Sequence, residues 1–175
     1  MNINEKNSLT DSVSKFRLPR YHEIPDVGLY LEQTVKYIGE YLSPLYDVNL
    51  TGSMISNYVK KKLVDNPVKK QYGREQIAYI IFIAIAKSVL SLDNIQRLIG
   101  MQKKIYSGDV AYDYFCLEFE NILQYVFGLK VESDTIGIDS SELKLLLRNI
   151  IITAAHKIYL DTCFGLIRDN PETCE

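Results

Sequence analysis

The sequence contains no tryptophan and has only three cysteines and two histidines in 175 residues. Cys116, Cys163 and Cys174 are odd in number and lack paired spacing, which argues against a disulfide framework or a zinc knuckle. The longest apolar run, residues 77–86, is about half the length that a membrane span needs. The first residues have no apolar stretch typical of a secretory signal. We therefore expect a cytoplasmic protein that does not associate with membranes.

The sequence also lacks the patterns of common enzyme sites. It has no P-loop, GxGxxG or GxSxG motif. His156 lies in a largely apolar stretch, where a lone histidine is usually structural. Cys116 has no basic neighbour in the sequence to activate its thiol, and Glu118 and Glu120 are spaced so that they do not share a helix face. We expect no enzymatic activity, and we predict no catalytic residue, metal ligand or cofactor.

Charge is distributed unevenly along the chain, although the net charge is only −2. Residues 1–50 carry 5 basic and 7 acidic side chains, residues 51–104 carry 10 and 3, and residues 105–175 carry 5 and 12. A basic segment beside an acidic one indicates that the two segments have different roles. A local basic field attracts polyanions even when the whole protein is slightly acidic. The alternative interpretation is a solvated charged face that is balanced elsewhere in the chain.

The spacing of apolar residues predicts an all-α protein. Residues 1–17 are polar and are expected to form a flexible tail. A tiny hairpin is expected at the basic stretch 68–72, and residues 132–139 are expected to form a loop. Asp26, Thr51 or Ser53, Ser91, and Ser140 or Ser141 are the predicted N-caps. The six predicted helices span approximately residues 28–43, 51–63, 74–90, 92–106, 109–127 and 140–168.

Residues 51–74 form the most informative pattern. A short helix exposes Ser, Asn and Lys, and a basic turn and a second, apolar helix follow, which is how proteins present a helix to the major groove and a wing to the DNA backbone. Six basic residues between positions 60 and 74 oppose one acid, Asp65, and such residues neutralise phosphates. Short polar side chains on the first helix could read base edges, and asparagine suits adenine. The predicted DNA-binding residues are Ser53, Ser56, Asn57, Lys60, Lys61, Lys69, Lys70, Tyr72 and Arg74.

The acidic half leaves room for a small-molecule effector site. Aromatic residues recur there at helical spacing and could line a pocket. Such residues more often form ordinary core, so this hypothesis stands beside the DNA-binding one as an alternative. The candidate pocket residues are Tyr112, Tyr114, Phe115, Phe119 and Tyr125.

Residues 50–99 resemble the MerR-type helix-turn-helix module. In that family a recognition helix is followed by a wing, an Arg-x-Tyr element and a capped Ser-Leu-x-x-Ile-x-x-Leu helix. Residues 54–63 occupy the position of the recognition helix, residues 70–77 resemble the wing-to-helix element, and residues 91–99 match the closing helix. More narrowly, Ile24–Tyr30 together with Met54–Lys60 resembles the bacterial domain-of-unknown-function family 1836, which is itself regarded as MerR-like.

The resemblance implies a winged helix-turn-helix domain over residues 18–107 and a helical dimerisation or effector region over residues 108–175. It also implies a transcriptional regulator that binds a palindromic site in double-stranded DNA as a homodimer. The sequence departs from the pattern, because Ser56 stands at the usual recognition arginine and Asn57 at the first aromatic. No sensor cysteines are present, so metal or redox sensing does not carry over. A protein-interaction module on a degenerate scaffold is the alternative.

Overall fold

The computed structural model describes residues 10–11, 13–134 and 141–169, and it is mostly helical, as predicted. A 3₁₀ helix, Tyr21–Glu23, precedes the short strand β1. The helices predicted over residues 74–90 and 92–106 end earlier, at Ala86 and Gln102, because the chain continues as turns after these residues. The elements are β1 (Leu29–Tyr30), α1 (Leu31–Leu42), α2 (Gly52–Lys60), β2 (Gln71–Tyr72), α3 (Arg74–Ala86), α4 (Leu92–Gln102), α5 (Gly108–Val126) and α6 (Glu142–Asp169).

Helix α3 is the centre of the core, because its sequence is apolar around its whole circumference. Ile77, Ile80, Ile81 and Ile83 are fully buried, and burying each such side chain contributes roughly 1.5–3 kcal/mol. Helices α5 and α6 pack against α3 and against each other. Buried residues from both halves of the chain belong to one continuous cluster. The predicted boundary between residues 107 and 108 therefore does not divide the hydrophobic core.

The N-terminal segment packs onto α5, which corrects part of the predicted tail. Val13 and Phe16 are buried, and the ring of Phe16 meets that of Phe119 edge-on at 5.8 Å. Arg20 donates two hydrogen bonds of 2.7 Å to the carboxylate of Glu120. The prediction of a flexible tail over residues 1–17 is thus wrong for Val13 and Phe16, since two apolar residues are too few to give a periodic signal. Residues 1–9 and 12 of that tail lie outside the described residues.

A two-residue strand replaces the predicted start of the first helix. The prediction placed that start near residue 28 with Asp26 as the cap, but α1 begins at Leu31 and its N-cap residue is Tyr30. The backbone N–H of Tyr30 donates to the side chain of Gln33 at 2.9 Å. β1 pairs antiparallel with β2, so that Tyr30 faces Gln71 in register. This pairing joins segments about forty residues apart and left no periodic signal in the sequence.

Candidate nucleic-acid interface

Helix α2 presents a polar face to solvent and an apolar face to the core. Thr51 caps its N-terminus, because the hydroxyl oxygen of this residue accepts a hydrogen bond from the N–H of Met54 at 3.3 Å. Ile55 and Tyr58 are buried on the inner side. Their three- and four-residue spacing leaves the other side of the helix to polar residues. The exposed residues on this polar face are Ser53, Ser56, Asn57 and Lys60.

The predicted base-reading residues of α2 differ in how freely their side chains can be used. The Ser56 hydroxyl donates to the Gly52 carbonyl at 2.9 Å, so its proton is engaged by its own helix. The Ser53 hydroxyl lies 3.0 Å from that of Thr51. Asn57 is exposed and has no side-chain hydrogen bond to the described part of the chain. Asn57 is therefore the amide best placed to pair with a base edge.

The C-terminus of α2 ends in a tight backbone motif that is built on Lys62. The N–H of Leu63 donates to the carbonyl of Tyr58, and the N–H of Lys62 donates to that of Val59, both at 2.9 Å. These two bonds define a Schellman motif. Lys62 has a φ of 59°, which is the left-handed conformation that glycine adopts most readily at this position. A lysine thus occupies a position at which the backbone favours glycine.

The basic stretch after α2 forms a tight turn with two more lysines in this conformation. Val68 and Gln71 exchange two backbone hydrogen bonds of 3.0 and 2.9 Å. Between them, Lys69 has a φ of 51° and Lys70 a φ of 66°. Positive φ at both central residues is characteristic of a type I′ turn, for which Asn-Gly is strongly preferred. The tiny hairpin that the sequence predicted is present, and its tip consists of two lysines.

Left-handed backbone is concentrated in this basic region. Four non-glycine residues of the described chain have positive φ, and three of them are Lys62, Lys69 and Lys70. A non-glycine residue in this conformation costs roughly 1–2 kcal/mol, and strained residues of this kind cluster at functional sites. The local backbone therefore does not explain why lysine is present at these three positions.

Few carboxylates of the protein neutralise the basic region. Lys61 lies 3.7 Å from Asp93, whose side chain is 79% exposed. Arg74 lies 3.6 Å from Asp26, which is 86% exposed, and solvent-exposed pairs of this length contribute little energy. Between positions 60 and 74, the lysines without an ion-pair partner in the described part of the chain are Lys60, Lys62, Lys69 and Lys70.

Two residues predicted to bind DNA instead stabilise the fold. The Tyr72 side chain is 5% exposed, since β2 turns it into the core, and this burial raises its pKa. Arg74 is half-buried, its Nε donates to the Ile24 carbonyl at 2.8 Å, and its guanidinium lies 5.9 Å from the centre of the Tyr21 ring. These contacts fix the N-terminal segment to α3. The Tyr72 side chain therefore has little surface for a contact with DNA, and Arg74 is partly engaged within the fold.

The sequence did not reveal that an exposed aromatic residue borders the turn. Tyr30 is 53% exposed and lies in register opposite Gln71, beside the lysine pair. Val68, at the first position of the turn, is 72% exposed. At Gly28, an added Cβ atom would lie 2.7 Å from the Cβ of Gln71, so glycine is needed for this close approach. The sequence pattern had predicted a helix start near residue 28 and gave no sign of this strand pairing.

Helix α4 connects this surface with the rest of the molecule. Ser91 caps the helix, as predicted, by accepting a hydrogen bond from the N–H of Asn94 at 3.3 Å. The Gln96 side chain donates to the carbonyl of Lys61 at 3.0 Å. A side-chain hydrogen bond therefore links the C-terminus of α2 to α4.

Helix α6 carries a second unusual surface, which is apolar. Residues Glu142–Arg168 are long and apolar enough to cross a membrane by length and composition, and 33% of the most apolar window is buried. Core helices of soluble proteins satisfy the same criteria, so this is weak evidence for a membrane span. One side of α6 packs against the core through Ile151, Ala155 and Ile158. The exposed apolar residues on its other faces are Leu145, Leu146, Leu160, Phe164 and Ile167.

Comparison with known families yields a match over most of the N-terminal part of the chain. A family model described as a domain of unknown function (DUF1836) matches residues 19–115, more than half of the chain. The matched segment runs from the N-terminal segment into α5, and it includes α2, the Lys69-Lys70 turn and α4. No curated protein and no solved structure matches this sequence.

Proposed function

This chain belongs to the DUF1836 family of domains of unknown function, and from its surface we propose that it is a DNA-binding transcriptional regulator of the MerR-like helix-turn-helix type. In this proposal α2 is the recognition helix and the turn at residues 68–71 is the wing. The regulator acts in the cytoplasm as a homodimer. Phosphate contacts supply most of its affinity, because the unpaired charges of the surface are lysines.

The observation that carries this proposal is the presence of three lysines at positions where the backbone favours glycine. A solvated charged face would need no such cost, since lysine is readily accommodated on ordinary helical or extended backbone. Positive charge at the wing tip and at the end of α2 suits two contacts with a phosphate backbone. The favourable interaction with phosphate then outweighs the local strain when DNA is bound.

The proposed homodimer uses the exposed apolar face of α6. The exposed apolar residues lie near the two ends of this helix, at Leu145 and Leu146 and at Leu160, Phe164 and Ile167, and exposed apolar groups of this kind mark an interaction site. The first turn of α6 is acidic through Glu142 and its last turn is basic through Arg168. Antiparallel pairing of two copies would place these opposite charges together and join Leu146 of one copy to Phe164 of the other. A two-fold dimer matches a palindromic DNA site with half-sites about 34 Å apart.

Replacing Lys69 and Lys70 together by alanine tests the proposal. We expect the double variant to bind duplex DNA about tenfold more weakly, and equally so for all sequences, because these lysines contact phosphates. The slope of log affinity against log salt concentration should become less steep by about 1.8, since each lost phosphate contact removes about 0.9. Gel-shift titrations at several salt concentrations measure both quantities.

A charge-matched control separates a local contact from a general field. Lys130→Ala with Lys157→Ala removes the same charge from the acidic half of the chain. Both lysines pair with carboxylates four residues away, and we expect this control to change the salt slope little. Equal slopes for wild type and the Lys69/Lys70 variant would contradict the proposed role of the wing.

The second candidate function is a protein-interaction module on the same scaffold. It is favoured by the exposed apolar side chains of α6, together with the use of Tyr72 and Arg74 in the fold rather than at the surface. A regulator and an interaction module differ in their affinity for random duplex DNA at low salt. Absence of such affinity in the wild-type protein would favour the interaction module.

A further inference from the structure

A cavity of about 150 Å³ lies where α3, α4, α5 and α6 meet. Its lining is almost wholly apolar, and its walls come from both the basic and the acidic halves of the chain. Small-molecule sites are typically concave and mostly apolar in this way. Side chains that line it include Ala78, Phe82, Leu98, Ile99, Phe115 and Leu147.

The cavity agrees only in part with the aromatic pocket predicted from the sequence. Tyr112, Tyr114 and Phe115 line it. Phe119 is fully buried in the core and Tyr125 is 44% exposed, and neither belongs to the lining. Three of the five predicted residues thus line the cavity and two do not, because helical spacing alone does not show which side of α5 faces α3 and α4.

Two polar side chains of the lining, Tyr79 and Gln102, are hydrogen-bonded within the protein. The hydroxyl of Tyr79 donates to the Gln102 side-chain carbonyl at 3.0 Å, and the Gln102 amide donates to the Tyr106 carbonyl at 2.8 Å. Desolvation raises the pKa of Tyr79 to about 12, so this phenol is neutral at physiological pH. The charged lining residues, Glu75 and Lys144, have opposite signs. The site therefore offers no excess charge to an ionic ligand.

From this cavity we infer a binding site for small, neutral aromatic molecules of about the size of benzene or indole. An apolar space of roughly 150 Å³ is large enough for benzene, and aromatic rings in the wall, such as Phe82 and Phe115, favour edge-to-face contacts with a flat ligand. In this structure the two rings already meet at 88° with their centres 5.1 Å apart. A bound ring extends this packing into the unfilled space.

The site is placed to regulate the basic surface, an inference that rests on the proposed function. Leu98, Ile99 and Gln102 of α4 line the cavity. One turn earlier on α4, the Gln96 side chain holds the Lys61 carbonyl at 3.0 Å. A ligand that shifts α4 therefore shifts the end of α2, and the affinities for ligand and for DNA must then change reciprocally.

The inference is tested by thermal unfolding of the full chain with benzene, indole and benzoate. We expect benzene or indole to raise Tm saturably, by about 5–10 °C at a hundredfold excess over Kd. Benzoate should have no such effect, because its carboxylate would have to enter an apolar space. No shift with either neutral compound would overturn the inference, and so would an equal shift with benzoate.

Variants locate the binding. Ala111→Leu adds a side chain to the cavity wall on α5 and should abolish the Tm shift. Gly100→Ala adds a methyl group on α4 where nothing lies within 4 Å, and it should retain the shift. If Ala111→Leu fails to fold, nuclear Overhauser effects locate the ligand in the wild type. We then expect contacts from indole to the methyl groups of Leu98 and Ile99, which line the cavity. Contacts elsewhere, or a full shift in Ala111→Leu, would contradict the inference.

A second arm measures DNA affinity with and without saturating indole. A change of at least threefold is expected if the ligand acts through α4. Ligand binding with unchanged DNA affinity would overturn the regulatory part and leave the cavity as a ligand site. Ligand binding by a protein with no DNA affinity at all would instead show that the proposed function is wrong.

Discussion

Replacing Lys62 by glycine and the Lys69-Lys70 pair by Asn-Gly is expected to stabilise the protein and, at the same time, to weaken its binding to DNA. The gain arises because Gly and Asn adopt positive φ at little cost, whereas each lysine is strained there. After the entropic penalty of glycine, the triple variant should gain about 2 kcal/mol, or about 4–8 °C in Tm. DNA affinity should fall more than tenfold, because the proposed function assigns a phosphate contact to each of the three lysines.

A matched control is provided by the fourth strained residue. Asp47 has a φ of 59° and lies in the connection between α1 and α2. Asp47→Gly should also raise Tm but leave DNA affinity unchanged or slightly higher, since it removes a negative charge. Urea unfolding and fluorescence anisotropy with a labelled duplex measure the two effects separately. A triple variant that is more stable and binds DNA as tightly as the wild type would contradict the functional explanation of the lysines.

The opposite directions of these effects distinguish a functional surface from a structural one. Lysines at the end of α2, such as Lys60 and Lys61, also interact favourably with the negative end of the helix dipole. That explanation does not extend to Lys69 and Lys70, which lie in a turn outside any helix. Stability lost to function in this way is common at binding sites, and a loss of binding caused by misfolding would lower Tm instead.

Replacing Arg148 by leucine is expected to destabilise the protein by about 3–5 kcal/mol near neutral pH. The Glu118 side chain is fully buried, and its Oε1 lies 2.7 Å from the Arg148 guanidinium. Neither oxygen of Glu118 accepts a well-aligned hydrogen bond from the described part of the chain. The variant would therefore leave a buried carboxylate with no compensating charge. Urea unfolding at pH 7.5 measures the loss.

The pH dependence of this loss has a defined sign. Burial raises the pKa of Glu118 in the folded protein, with Arg148 opposing the rise, so removing Arg148 raises that pKa further. A carboxyl with a raised folded-state pKa binds its proton more tightly when folded, and its cost is absent below the unfolded pKa of about 4.3 and grows as pH rises. The destabilisation by Arg148→Leu should therefore shrink near pH 5. Adding Glu118→Gln should restore much of the stability at pH 7.5, and a pH-independent loss would refute the mechanism.

Local chemistry allowed much of the fold to be predicted from the sequence. The all-round apolar pattern of α3 identified the central helix, and the hydroxyl groups of Thr51 and Ser91 correctly marked two helix starts. These signals lie within a few residues of the structure that they specify. The β1–β2 pairing and the docking of Phe16 depend on contacts between distant segments, and periodicity within one segment does not report such contacts.

In the candidate site, too, local features could be predicted and contacts between distant segments could not. The polar face of α2 follows from the spacing of Ile55 and Tyr58, so its exposed residues could be predicted. The packing of Tyr72 and Arg74 against other segments could not be predicted, because proximity to the lysines in sequence does not report such contacts. The positive φ angles of Lys62, Lys69 and Lys70 could not be predicted for a different reason. Turn prediction relies on Gly, Asn and Pro, and lysine stands at these positions instead.

The central claim is that α2 and the Lys69-Lys70 turn together contact duplex DNA, and amide chemical-shift mapping of the isotope-labelled protein tests it most directly. On titration with a random duplex at low salt, we expect the largest shifts at residues 51–62 and 68–71, and we expect these shifts to diminish as salt is added. Absence of shifts at these amides, or shifts confined to the exposed face of α6, would contradict the account.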